Sequence, residues 1–160
     1  MVLVVFEIAN RVFLLFLLLL FSMSRNLFKL FQSDVGLLTS QFSDGIQLKL
    51  LTDDQSINFG AIYENFVAQE LKANGFSLYY YNNKRLGEHD FVVEYKGNVL
   101  PIEVKSGKDY ERHNALTNVM GIKDYGIPEA LVLCNDNISQ KGNITYMPIY
   151  MMMFLKKTMK

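Results

Sequence analysis

Most of the structural signal in this chain lies in one segment, Asp90-Phe-Val-Val-Glu-Tyr-Lys-Gly-Asn-Val-Leu-Pro-Ile-Glu-Val-Lys-Ser-Gly107. Two runs rich in β-branched and aromatic residues flank Lys96-Gly-Asn98, in which the central glycine can adopt a positive φ. Two such runs joined by a few residues that include glycine are typical of a β-hairpin. The sequence therefore predicts antiparallel strands over residues 90–96 and 99–104.

This hairpin would bring charged residues together at one end. Alternation along a strand puts Glu103 and Lys105 on one face, and Ile102 and Val104 on the other. Asp90 begins the partner strand and falls opposite Glu103 and Lys105. Carboxylate oxygens are the ligands that Mg²⁺ prefers, and a lysine beside the metal can orient water or neutralise a phosphate. The spacing favours a divalent-metal site, although Glu-x-Lys on a strand is also common as a solvated charge pair.

A third acidic residue, Glu64, lies on a predicted amphipathic helix that runs from Gly60 to about residue 74. Apolar residues recur on this helix near helical spacing, from Ile62 to Leu71, and Gly75 would end it as a C′ glycine. Glu64 is offset from the apolar stripe. It either faces solvent or lies at the border of the stripe, directed toward the end of the hairpin.

The hairpin with Asp…Glu-x-Lys, together with a glutamate on a preceding helix, resembles the PD-(D/E)xK restriction-endonuclease-like superfamily. The segments Gly60-Ala-Ile-Tyr-Glu-Asn-Phe-Val-Ala-Gln-Glu-Leu71 and Pro101-Ile-Glu-Val-Lys-Ser-Gly107 look more closely like an uncharacterised C-terminal domain of prokaryotic AAA-type ATPases. Phe31-Gln-Ser-Asp-Val-Gly-Leu-Leu38 and Ile144-Thr-Tyr-Met-Pro-Ile-Tyr150 look like the start and end of the same domain. The resemblance implies an α/β fold with a restriction-endonuclease-like core, a mixed sheet and flanking helices.

The resemblance also implies roles for individual residues. Glu64 matches the glutamate of the first core helix, Asp90 the metal-binding aspartate, and Glu103 with Lys105 the (D/E)xK pair. These four would form the catalytic set, with Asp90, Glu103 and Glu64 as ligands of Mg²⁺ or Mn²⁺. No proline precedes Asp90, and that position is variable in the superfamily. Cleavage itself does not follow, because a fold does not determine function.

Composition is consistent with one main domain in a chain of 160 residues with a formal net charge of zero. A nucleic-acid binder would usually carry a basic excess, because phosphate contacts dominate affinity. The sequence contains no G-x-x-x-x-G-K-[ST] motif, so we expect no ATP site in this chain, and a partner ATPase module would be encoded separately. The sequence contains one cysteine, Cys134, so an internal disulfide is excluded. It lies in an apolar run and is expected to be a buried thiol.

The N-terminus allows several interpretations. Val12–Phe21 is ten uninterrupted apolar residues, short for a membrane span, and the preceding Glu7 and Arg11 would be costly in lipid. We divide the chain into an apolar segment (1–25), the nuclease-like domain (26–155) and a basic tail (156–160). The first segment is a remnant or a helix that packs on an absent domain, a membrane anchor through residues 1–23, or a cleaved signal. The corresponding locations are cytoplasmic or membrane-associated.

The remaining elements follow from apolar patterning. We expect helices over Phe28–Thr39 and Tyr110–Met120, with a short helical or irregular stretch over Ile46–Leu51. We expect strands over Phe76–Tyr81 and, buried, over Ala130–Cys134, with a final edge strand over Ile144–Pro148, where proline is tolerated.

Three functions fit these features. In the first, the chain is a nuclease-like accessory or interaction domain of an AAA-type ATPase system, with an ATPase module as its partner and nucleic acid as a second candidate partner. Alternatively, it is an active Mg²⁺-dependent DNA nuclease that uses Asp90, Glu103 and Lys105. In the third interpretation it is a membrane-associated protein whose charged hairpin is structural. Neutral net charge favours the first over the second, whereas the intact acidic and lysine residues favour the second.

Overall fold

A computed structural model describes residues 4–6, 29–52, 54, 57 and 59–157 of the chain. Its elements are β1 (Val4–Phe6), β2 (Leu30–Gln32), α1 (Val35–Ser40), α2 (Asp44–Leu51), α3 (Gly60–Ala73), β3 (Tyr79–Asn83), β4 (Gly87–Tyr95), β5 (Asn98–Val104), α4 (Asn114–Met120), β6 (Ala130–Cys134), β7 (Ser139–Lys141) and β8 (Ile144–Pro148), with 3-10 helices at Lys123–Tyr125 and Ile149–Phe154. The predicted α/β fold with a mixed sheet and flanking helices is confirmed.

The main sheet has six strands in the order β3-β4-β5-β6-β8-β7. Strands β3, β4 and β5 form an antiparallel meander, β6 runs parallel to both β5 and β8, and β7 pairs antiparallel with β8. The predicted hairpin is confirmed as β4 and β5. Its turn consists of Lys96 (φ 51°) and Gly97 (φ 78°), which is the two-residue geometry that matches the natural twist of the strands.

Helix α3 covers one face of the sheet, as its apolar stripe predicts. Val67 and Leu71 are fully buried in a cluster with Phe91 and Ile102 of the hairpin. The helix ends in a Schellman motif, in which the Phe76 N–H donates to the Leu71 carbonyl and the Gly75 N–H donates to the Lys72 carbonyl. Gly75 has a φ of 83°, so the predicted role of this glycine is confirmed.

Helix α4 covers the opposite face. Alternation on β6 sends Leu131 and Leu133 into the cluster under α3, whereas Ala130, Val132 and Cys134 pack in a second cluster with Leu116 of α4 and Tyr146 of β8. Every residue of β6 is buried, which confirms the predicted buried strand and the buried thiol.

The single helix predicted over Phe28–Thr39 is wrong. Residues 30–32 form strand β2, which pairs in parallel with β1, and the helix begins only at Val35. Asp34 separates the two elements because it caps the helix. Its backbone is extended, and its Oδ1 accepts a hydrogen bond from the Leu37 N–H at 3.0 Å. Phe28 lies outside the described residues.

The edge position predicted for Ile144–Pro148 is also wrong. Strand β8 lies between β6 and β7, and the outer position belongs to β7, whose three residues are all polar and exposed. Other elements differ in extent, among them β4, which begins at Gly87, three residues before the predicted start. The helix expected from Tyr110 begins at Asn114, and the strand expected over 76–81 runs from Tyr79 to Asn83.

The apolar stretch Val12–Phe21 lies outside the described residues, so the predictions for it remain predictions. Among the residues that are described, none of the helices has the length and apolar character needed to cross a membrane.

Candidate functional site at the end of the hairpin

A register shift in β4 determines how Asp90 is presented. Tyr79 pairs with Val92, whereas Tyr81 pairs with His89, so Asp90 and Phe91 together lie opposite Tyr80. Such a bulge interrupts strict alternation and redirects side chains. Phe91 packs in the cluster under α3, and Asp90 also reaches toward that side, while His89 and Val92 line a cavity on the other side.

Three carboxylates converge on one ammonium group. Lys29 Nζ lies 3.2 Å from Glu64 Oε2, 3.1 Å from Glu88 Oε1 and 3.2 Å from Asp90 Oδ1. The Lys29 side chain is only 18 % exposed, and its ammonium lies 5.3 Å from the centre of the Tyr80 ring. Glu64 is therefore directed toward the end of the hairpin, not toward open solvent.

Lys29 and Glu88 were not among the residues selected from the sequence. Glu88 lies two positions before Asp90, and this spacing on a strand is a signal that could have found it. Lys29 is 35 residues from Glu64 and 61 from Asp90, and no local sequence pattern predicts that it pairs with them.

Polar side chains of α3 hold the segment that carries Lys29. The buried Asn65 accepts a hydrogen bond from the Gln32 N–H through Oδ1 at 2.7 Å, and its Nδ2 donates to the Gln32 carbonyl at 3.3 Å. The next helical turn provides Gln69, whose Oε1 accepts from the Val35 N–H at 2.9 Å. The helix that presents Glu64 therefore also positions the lysine that pairs with it.

Asp90 also completes the hairpin ladder. The last paired residues of β4 and β5 at this end are Phe91 and Ile102. Beyond them, Asp90 Oδ2 accepts a hydrogen bond from the Val104 N–H at 2.8 Å, so a side chain replaces a backbone acceptor. Both carboxylate oxygens of Asp90 are therefore engaged, one by Lys29 and one by the backbone of β5.

Glu103 pairs with Lys105, as alternation on β5 predicts. Lys105 Nζ lies 2.7 Å from Glu103 Oε1. Glu103 is buried, and its Oε2 has no hydrogen-bond partner among the described residues. This second oxygen lies 4.0 Å from His89 Nδ1. The four residues selected from the sequence thus lie in two ion-paired groups, with Glu64 and Asp90 on Lys29, and Glu103 on Lys105.

The carboxylates influence one another electrostatically. Burial, followed by the charge of Asp90, raises the pKa of Glu64 above its usual value, although Lys29 opposes the shift. The pKa of Glu103 is also raised, again by burial and then by Asp90, with Lys105 opposing. Burial lowers the pKa of Lys29, but Asp90, Glu64 and Glu88 outweigh it, so the net shift is upward. Burial lowers the pKa of His89, which keeps the imidazole neutral near pH 7.

In the part of the chain that the structure describes, no three His, Cys, Asp or Glu side chains are arranged to hold a metal ion. Lysine ammonium groups compensate the carboxylates instead. Oxygen-rich ligands of this kind suit Mg²⁺ or Mn²⁺ chemically, but Lys29 would have to move for Glu64 and Asp90 to share such an ion. The predicted ligand set of Asp90, Glu103 and Glu64 therefore stays a prediction.

A family model matches more than half of the chain. The family model described as "Domain of unknown function (DUF4143)" matches residues 59–152, which is 94 of the 160 residues. The matched range includes α3 and the hairpin, and therefore Glu64, Asp90, Glu103 and Lys105, whereas Lys29 precedes it. The chain matches no curated protein and no solved structure.

Proposed function

From the premise that the chain belongs to the DUF4143 family, we propose that it is a nuclease-like accessory or interaction domain of an AAA-type ATPase system. The resemblance of its Glu64 helix and of its Glu103–Lys105 strand to the C-terminal domain of such ATPases supports the association. The sequence has no P-loop, so the nucleotide chemistry would belong to a separate module.

The observation that carries this proposal is the position of Lys29 among the carboxylates. An ammonium 3.1 to 3.2 Å from Glu64, Glu88 and Asp90 already provides the positive charge that a divalent metal would otherwise provide. A metal that bound there would have to displace three ion pairs of Lys29, two of which are charge-assisted hydrogen bonds. The zero net charge also gives the chain little long-range attraction for nucleic acid. Both features favour a domain that binds a partner without catalytic turnover.

Helices α1 and α2 supply a surface that suits a protein partner. Neither helix has a buried residue, and Leu37, Leu48 and Leu51 are exposed, the last to 85 %. Leu48 and Leu51 lie one turn apart on α2, and exposed apolar neighbours of this kind mark interaction sites more often than isolated residues do. We assign this α1–α2 surface to the contact with the ATPase module.

The binding experiment uses the P-loop ATPase encoded nearest to this chain in its genome, purified separately. We expect the wild-type chain to bind it, and Leu48→Lys with Leu51→Lys to weaken binding at least tenfold by removing apolar contact and burying charge. Ile138→Lys is the matched control, because it places a lysine on an exposed apolar residue between β6 and β7. Absence of binding by the wild-type chain would contradict the proposal.

A second candidate is an active nuclease dependent on Mg²⁺ or Mn²⁺. It is favoured by the electrostatic influence of Asp90 on Glu64 and Glu103. Burial and then the charge of Asp90 raise the pKa values of both groups, and a bound cation would relieve the repulsion. In that case Asp90, Glu103 and Glu64 would hold the metal, which would stabilise the charge that develops on the phosphate. Lys105 would orient the attacking water or neutralise the phosphate.

A cleavage assay separates the two candidates. The purified chain is incubated with plasmid DNA, single-stranded DNA and RNA in Mg²⁺ or Mn²⁺, with and without the ATPase. We expect no cleavage. Cleavage that is lost in Asp90→Asn and retained in Asp124→Asn, an exposed aspartate that pairs with neither Lys29 nor Lys105, would establish the nuclease and overturn the interaction-only function. Lys105→Ala should then lower the rate more than substrate binding.

A further inference from the structure

The two edges of the main sheet differ in how they are protected against pairing with another chain. At one edge lies β7, which has only three residues and carries Lys141 in an ion pair with Glu111. Short length and a lysine are features that protect an edge strand. At the other edge lies β3, which in the described part of the chain is hydrogen-bonded to β4 alone. Its five residues, Tyr-Tyr-Tyr-Asn-Asn, carry no charge.

Strand β3 is nevertheless held in place on both of its faces. Tyr80 packs with the cluster under α3, and the Lys29 ammonium lies over its ring. The Tyr81 ring lies on the α4 side, 5.5 Å from the His89 ring. Three of the five residues of β3 are exposed. The strand therefore presents its outer backbone groups in a fixed geometry, which lowers the entropy that is lost when another strand pairs with it.

A second copy of β3 is a suitable partner for this edge. Two identical strands can pair in antiparallel fashion about a two-fold axis that passes through Tyr81. The opposed residues are then Tyr81 and Tyr81, Tyr80 and Asn82, and Tyr79 and Asn83. Each opposed pair is uncharged and includes a tyrosine, and aromatic pairs across strands are favourable. Lys84 of the following turn would lie opposite Leu78, so the basic turns of the two copies stay at opposite ends of the contact.

We propose that two copies of this chain associate through their β3 edges, with Tyr81 at the two-fold axis, and so join their six-stranded sheets into one. A two-fold contact is self-complementary and ends at two copies. Five residues on each copy form a small interface, since stable ones use about 20–30 residues a side, so we expect a dissociation constant on the order of 10 μM. The pairing does not use the α1–α2 surface and is independent of the proposed ATPase association.

Sedimentation equilibrium of the full-length chain tests the association, at concentrations from roughly 1 to 500 μM on either side of the expected dissociation constant. We expect the mass to rise from that of one chain toward that of two. Tyr81→Lys and Tyr81→Glu each place like charges opposite one another, so each should weaken association at least tenfold. An equimolar mixture of the two variants should recover it, because opposite charges then face each other. Gln140→Lys on β7 is the control and should change nothing.

A cross-linking experiment tests the same register at two exposed positions and does not depend on substitution of Tyr81. Tyr79→Cys and Asn83→Cys are mixed under mild oxidation, and we expect a disulfide between the two variants, because opposed Cβ atoms lie about 4.5–5.5 Å apart. Neither variant alone should cross-link, since identical positions are then four residues apart, and Cys134 is buried. The proposal is overturned if the wild type stays monomeric, if the mixture of charged variants does not recover association, or if the mixed cysteine variants do not cross-link.

Discussion

Lys29 compensates charge from two different elements. Its ammonium pairs with Glu64 on α3 and with Glu88 and Asp90 on β4, all within 3.2 Å. Without it, three carboxylates would share a partly buried site in which burial, and then the charge of Asp90, already raise the pKa of Glu64. Removal of one partner from such a site leaves the remaining charges uncompensated, which destabilises more than the pair itself stabilises.

Lys29→Met tests this role, because methionine keeps much of the apolar stem and removes the charge. We expect the free energy of unfolding to fall by about 1–2 kcal/mol, less than for a fully buried pair because Glu88 is nearly half exposed. Urea denaturation in buffer that contains a chelator measures the change.

The matched control is Lys141→Met. Lys141 pairs with Glu111, and both side chains are more than half exposed. Surface pairs of this kind contribute about 0–1 kcal/mol, so the control should change stability little. Equal losses in the two variants would show that Lys29 has no special role in the cluster.

Among the secondary-structure elements, the hairpin is the one on which the candidate site is built. The bulge opposite Tyr80 sends Asp90 toward α3 and His89 toward the cavity under α4. Strand β4 begins at Gly87, whose φ of 102° few other residues adopt, and a Cβ there would lie 2.7 Å from Ala115 Cβ of α4. The start of β4 can therefore lie close against α4 because Gly87 has no side chain.

Gly87→Ala and Gly97→Ala form a matched pair. Both positions have a positive φ, but a Cβ at Gly97 meets no atom within 4 Å. We expect Gly97→Ala to cost about 1 kcal/mol from backbone strain alone, and Gly87→Ala to cost about 2–4 kcal/mol because a clash is added. Thermal and urea unfolding measure both.

Ala115→Gly should recover part of the loss in the Gly87→Ala background, because it removes the contacting Cβ. If Gly87→Ala costs no more than Gly97→Ala, the close approach of β4 and α4 does not exist in solution.

For the whole molecule, the sheet separates two regions of different chemistry. The face under α3 has an apolar cluster bordered by ion pairs, and the face under α4 has a second cluster beside the His89 cavity. Glu103 belongs to β5, which contacts both clusters. Among the residues that the structure describes, it is one of two carboxyl groups whose pKa burial raises. Global stability should therefore depend on the protonation of the hairpin end.

The sign of this dependence follows from the direction of the shifts. Glu64 and Glu103 have higher pKa values in the folded chain than in the unfolded chain, so the folded state binds their protons more tightly. Their destabilising effect is complete above the folded pKa values and absent below the unfolded value of about 4.5. We expect their unfavourable contribution to the free energy of unfolding to become smaller as the pH falls from 7 toward 4.5.

The measurement is urea unfolding at several pH values in that range, without divalent metal. Glu64→Gln with Glu103→Gln should remove this contribution. As the pH falls from 7 to 4.5, the free energy of unfolding of this variant should then gain less than that of the wild type. Glu94→Gln with Glu129→Gln, at two exposed glutamates, is the control and should leave the profile nearly unchanged. Identical profiles for the wild type and the first double variant would contradict the prediction.

Local pattern was sufficient for the elements that depend on nearby residues. The hairpin, its positive-φ turn, helix α3 with its Gly75 terminator and the buried strand β6 could all be predicted, because alternation, helical spacing and turn chemistry operate over a few positions. The pairing of Glu103 with Lys105 follows from the same alternation.

Contacts between distant segments determined the rest. Lys29 reaches the cluster because Asn65 hydrogen-bonds to Gln32 at the end of β2, a strand that the sequence pattern suggested was helical. Likewise, β7 covers the edge of β8 without an apolar pattern of its own, and the bulge in β4 is visible only in its register with β3. Periodicity shows which face of an element is apolar. It does not show which charged residue, 30 or more positions away, the folded chain brings to that face.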